Sequence, residues 1–117
     1  MADPVAKTPI YPVRDNQTVT LSITIGESQA GGTDVTFQGA ELKTGEVTDL
    51  PIGPGQAIRK KILYCLTTVQ RKNPASGKTS VKYALKGGVQ DVDLTYDDAT
   101  LSEIDERVVY DVAVKFV

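Results

Sequence analysis

The 117 residues contain no histidine and no tryptophan, and a single cysteine, Cys65. Without histidine the chain lacks the commonest general base, the commonest transition-metal ligand and every Ser-His or Cys-His nucleophile pair. A lone cysteine excludes an intrachain disulfide framework. With no imidazole to activate it, Cys65 in the strand-like KKILYCLTT reads as a small buried hydrophobe. Two phenylalanines and five tyrosines leave few aromatic platforms for stacking bases or sugars. The apolar runs are only a few residues long, so no membrane insertion is expected. The opening MADPVAKTPIYPV lacks the basic start and apolar centre of a secretory signal. It reads as an extended arm, on a protein made in the cytoplasm or built into an assembled particle.

What is present is an ordinary globular composition, 40% apolar and 24% charged, on a chain of one-domain length. Its dominant pattern is alternation with period two, the mark of strands with one buried face. In TVTLSITI the residues Val19, Leu21, Ile23 and Ile25 share one side and Thr18, Thr20, Ser22 and Thr24 the other. DVTFQG repeats the pattern with Val35 and Phe37, and the two segments read as a hairpin or as neighbours across a longer loop. The Gly- and Pro-rich stretch Ala40 to Gln56 has room for one short edge strand near Glu46 to Leu50.

AIRKKILYCLTTVQ is apolar on both parities: Ile58, Ile62, Tyr64 and Leu66 on one, Leu63, Cys65 and Val69 on the other. A strand of that kind is central under a cover or part of an interface. SVKYAL, VQDVDLTY and RVVYDVAVKFV alternate again, the last with Val108, Tyr110, Val112, Val114 and Phe116 on one face. DDATLSEIDE is the one helix nucleus, with Thr100 and Glu103 at capping-box spacing and Leu101 and Ile104 facing the core. About seven strands without strand-helix alternation predict an all-β antiparallel β-sandwich of immunoglobulin- or fibronectin-like architecture. A small closed β-barrel is the alternative. Residues 1–17 form the arm and 18–117 the single domain.

NPASGKTS, Asn73 to Ser80, ends in the Gly-Lys-Thr of a phosphate-binding loop. That motif needs a glycine five positions before Gly77, where Lys72 stands, and a helix after Thr79, where an alternating strand follows. The stretch therefore reads as a hairpin tip, with Pro74 fixing a turn and Gly77 supplying a positive φ.

Charge is segregated. Asp91, Asp93, Asp97, Asp98, Glu103, Asp105 and Glu106 are seven of the fifteen carboxylates, within sixteen residues. Of these, Asp91, Asp93, Asp97 and Asp98 are the candidate ligands for calcium, which takes such oxygens from loops, although they lack the EF-hand spacing. Between Leu50 and Gln90 no acidic residue occurs, while eight of the thirteen basic ones do. A chain of net charge −2 and pI near 5.0 is a poor polyanion binder, so nucleic acid is not expected. Complementary basic and acidic surfaces suit docking between proteins, including self-association. Arg59, Lys61, Leu63, Arg71, Lys72, Lys78 and Lys82 are the candidate contact residues.

The expected function is a non-enzymatic structural or adaptor subunit working through protein-protein contacts. It would belong to a larger assembly of tail, sheath or surface type, with no resident cofactor and no small-molecule ligand. The alternative is a calcium- or glycan-binding module.

Overall fold

Alternating apolar residues can be buried only if each strand turns one face toward a second layer, and the chain folds accordingly into two packed sheets. The computed structural model describes residues 2–117. In chain order the elements are β1 (Val5–Lys7), β2 (Ile10–Tyr11), β3 (Thr18–Ile25), β4 (Ala30–Phe37), β5 (Ala40–Gly45) and β6 (Val47–Pro54). A one-turn helix α1 (Gly55–Ile58) is followed by β7 (Ile62–Gln70), β8 (Val81–Lys86), β9 (Val92–Tyr96) and β10 (Arg107–Phe116). One sheet has the order β1-β10-β7-β4-β5, with β2 continuing β1 along β10; the other has the order β6-β3-β8-β9. The sandwich is thus confirmed; among the described residues the two sheets do not close into a barrel, and there are ten strands where about seven were expected.

The extra strands are β1, β2 and β5, all at sheet edges. An edge strand in contact with water shows little alternation; five of the six residues of β5 are exposed. The helix expected in DDATLSEIDE does not form. Residues 102–105 make bends and a turn, Leu101 is buried, and Ile104 points into solvent. The reason is a carboxylate three positions further on than the Glu103 expected to cap. Glu106 Oε1 accepts hydrogen bonds from the Ser102 and Glu103 amides and the Ser102 hydroxyl at 2.9, 3.3 and 3.0 Å. These three donors close the segment on itself and hold the Glu106 carboxyl below the usual carboxylate range.

Two expected hairpins are corrected as well. β3 and β4 belong to different sheets, and so do β7 and β8. Only β4–β5 and β8–β9 are sequence neighbours that pair within one sheet. Every other connection from β3 onward crosses the sandwich.

Between the sheets the core is apolar with a few polar ties. Tyr11, Phe37 and Phe116 meet edge-to-face, with ring centroids 6.4 and 6.1 Å apart. All five inward residues of β10 are fully buried, each worth about 2 kcal/mol of apolar transfer. Thr67 on β7 hydrogen-bonds with both Thr33 of its own sheet and Tyr83 of the opposite one, at 2.9 Å each. Thr79 bonds the Tyr110 hydroxyl and the Ala99 carbonyl, both at 2.6 Å. Such satisfied hydroxyls fix the register of the sheets at little cost, since each buried group keeps a partner.

The N-terminal arm lies on the sandwich. Val5 to Lys7 and Ile10 to Tyr11 run parallel to β10, with Val5 opposite Tyr110 and Tyr11 opposite Phe116. The Tyr11 hydroxyl donates to the Gln90 carbonyl at 2.8 Å and accepts from the Gly88 amide at 2.9 Å. The Lys7 ammonium bonds Asp98 at 2.7 Å and sits 5.5 Å from the centre of the Tyr96 ring. It joins the first sheet to the second along that side.

Candidate functional site

Four groups of residues were singled out by sequence; the fold disperses two of them and clamps a third into a closed crossover. Alternation along β9 sends Asp91 and Asp93 outward while Val92 and Leu94 turn toward the core. Asp91 accepts from the Gly87 amide at 3.2 Å within the β8–β9 hairpin. Asp97 and Asp98 lie past the end of β9, and Asp98 is turned to Lys7. Among the described residues no three carboxylate or cysteine side chains come together in a metal-binding group.

The basic residues do not form one surface either. Arg59 and Lys61 precede β7, whereas Arg71 and Lys72 follow it, a nine-residue strand away and so separated by roughly 30 Å. Lys82 is on β8, in the other sheet. Arg59 pairs with Asp15 and donates to the Val13 carbonyl at 3.2 Å. Arg71 spreads its guanidinium over the carbonyls of Asn73, Pro74, Leu101 and Ser102. Lys72 pairs with Asp105. Among the described residues Lys61, Lys78 and Lys82 pair with no carboxylate. Leu63 is wholly buried in the core, and the exposed side of β7 is its other parity.

NPASGKTS is a crossover between sheets and is clamped by one side chain. Gln29 Oε1 accepts the Lys72 and Asn73 amides at 2.8 and 3.0 Å, and Gln29 Nε2 donates to the Ser76 and Lys78 carbonyls at 2.9 Å each. The amides that a phosphate cradle would present are used as well: Lys78 donates to the Ser76 hydroxyl at 3.1 Å and Thr79 to the Ala99 carbonyl at 3.2 Å. Gly77 is required for a reason other than the one expected: its φ is not positive, but a Cβ there would lie 1.6 Å from the Leu101 carbonyl oxygen. The Gly77 carbonyl accepts the Leu101 amide at 2.7 Å, which explains the close approach.

The fourth group, the double-sided apolar strand, does form a surface. Leu63, Cys65, Thr67 and Val69 face the core, and Ile62, Tyr64 and Leu66 face outward with exposures of 37%, 48% and 45%. β7 is central, flanked by β10 and β4. Register places Lys115 beside Ile62, Ala113 and Thr36 on either side of Tyr64, and Asp111 and Asp34 on either side of Leu66. Ile10, 64% exposed, extends the row past Lys115 on the arm. The outer face of the second sheet is unlike it. There β3 shows Thr18, Thr20, Ser22 and Thr24, and β8 shows Lys82 and Lys86.

Burial pushes the Cys65 thiol up to about 12, with the nearby Asp111 charge adding to the effect. This is the inert, core-facing cysteine that the sequence suggests. A cleft of about 410 Å³ opens between the sheets on the β5–β6 side, over Ile23, Ile25 and Gly31. Among the described residues that line it Glu46 is the one acidic side chain, and the amide of Gln29 is fully engaged elsewhere.

No protein-family model, no curated protein and no solved structure matches the chain.

Proposed function

We propose that the protein is a non-enzymatic structural or adaptor subunit that works through protein-protein contacts, as a component of a larger tail-, sheath- or surface-type assembly. The observation behind this reading is the Ile62, Tyr64, Leu66 row. Three large apolar side chains stand next to one another at the centre of a six-strand sheet, on a regular platform. Contiguous apolar surface rimmed by charge is the signature of a docking face. Tyrosine at its middle supplies broad contact area with little rotamer entropy to lose.

A photo-reactive residue at position 64, in the protein expressed in its own cells, tests the reading. Cross-links to protein at position 64, and none from the same probe at Thr20 on the opposite face, are the expected result. Equal or absent labelling at the two positions would end it.

A further inference from the structure

We infer that the partner of the Ile62–Tyr64–Leu66 face is a second copy of this chain, stacked face to face about a two-fold axis that crosses the strands at Tyr64. This rests on the contact reading above and adds who the partner is. The argument is one of charge placement. Lys115 is beside Ile62 at one end of the row, and Asp111 is beside Leu66 at the other. Both intervals are four residues, so each spans about 13 Å along the strands.

A two-fold axis in the plane of the interface and across the strands lays each β7 over its counterpart in reverse. Ile62 then meets Leu66 of the second copy, Tyr64 meets Tyr64, and on β10 Lys115 meets Asp111 of the second copy. Both apolar and ionic rows are satisfied by the same operation, twice per dimer. A two-fold along β7 would instead lay β10 over β4 and set Asp111 on Asp34 of the second copy, both beside Leu66, which like-charge repulsion disfavours. An isologous contact of this kind needs a patch that is complementary to itself in reverse, and this one is. Five strands about 4.8 Å apart and some eight residues long make a plane of about 500 Å² before side-chain relief is counted. That approaches the roughly 800 Å² per partner of a standard interface. Aligned sheets about 10 Å apart are an ordinary packing for two such faces.

Reversing one charge at a time separates this arrangement from any other. Asp111→Lys alone sets lysine on lysine, and Lys115→Asp alone sets aspartate on aspartate. Mixed in equal amounts, the two variants can form a heterodimer in which every facing pair is again opposite. Sedimentation equilibrium is expected to show a wild-type dimer, a dissociation constant raised at least tenfold in each single variant, and recovery of the dimer in the mixture. Recovery also shows that both variants fold. A wild-type protein that stays monomeric into the millimolar range, or a mixture no tighter than its components, overturns the inference. The broader contact reading fails separately: adducts at position 64 whose mass is not twice the chain keep it while removing the second copy, and no adducts at all remove both.

Discussion

The two outer faces of the sandwich are built from the same kind of strand yet are opposites in chemistry. On the β3–β8 face, threonine, serine and lysine alternate with the core residues, and the surface is one that water covers well. On the β7–β10 face the alternate positions hold isoleucine, tyrosine and leucine. The inward residues of β7 and β10 are already fully buried in the shared core, so the fold has no need of the second apolar row. Folding stability explains Leu63, Cys65 and Val69; it does not explain Ile62, Tyr64 and Leu66. An apolar residue that the fold can do without is informative about use.

The coarsest way to break the comparison is to disturb the crossover that holds the two sheets in register. Gly77→Ala drives a methyl group into the Leu101 backbone; it is expected to lower stability by roughly 3 kcal/mol, read as a shifted midpoint in urea unfolding. Both faces are then lost together.

A finer cut uses the opposite orientations of neighbours on β7. The Cys65 thiol has its pKa raised from 9.0 to about 12 by burial. A group kept protonated by the fold stabilises fully below its unfolded pKa, and that contribution is lost as pH rises from about 9 toward 12. At pH 10 the loss is on the order of 1 kcal/mol, and Cys65→Val should remove that early alkaline slope. Burial also pushes Tyr83 up, so a further decline above pH 10 should persist in the variant. In thiol labelling, wild-type protein should react only through unfolding. A Leu66→Cys, Cys65→Val variant, diluted until it is monomeric, should react at once.

The smallest effect on stability is the sharpest on function. Replacing Tyr64 and Leu66 with threonine gives the β7 face the character of the β3 face while retaining β propensity. Stability should stay within about 0.5 kcal/mol, and association should weaken by more than tenfold in sedimentation. Lys72→Glu with Lys78→Glu, at the crossover, should leave association within twofold. An equal loss in both pairs would erase the distinction between the faces.

The sequence shows its half-buried strands clearly, because burial on one side is what makes a period of two. It hides β1, β2 and β5, since edge strands such as β5 have no strong inside and outside to alternate between. Alternation also cannot tell which sheet a strand joins, and so β3 with β4, and β7 with β8, look like hairpins until the two layers are seen. The apolar double parity of Ile62 to Val69 is visible in the letters alone, but which parity faces water depends on the side against which the second sheet packs, the side where Thr67 meets Tyr83. The charge-segregated thirds mislead for a related reason. Sheet order scatters Arg59, Arg71 and Lys82 over both ends and both layers, and a run in sequence becomes a patch only when the strands carrying it are neighbours.

The crossing connections also set the tempo at which the molecule assembles. Only β4–β5 and β8–β9 can zip locally, and the remaining ladders join distant segments, with Val5 and Tyr110 paired across nearly the whole chain. Loop closure must be completed before such pairs contribute, which places the folding time in the millisecond-to-second range of non-local β proteins. Through that interval the arm is off β10 and both apolar sides of β7 are open. A nascent chain therefore meets its neighbours while the central strand is sticky on two sides, and its yield in the cell should depend more on concentration during synthesis than on final stability.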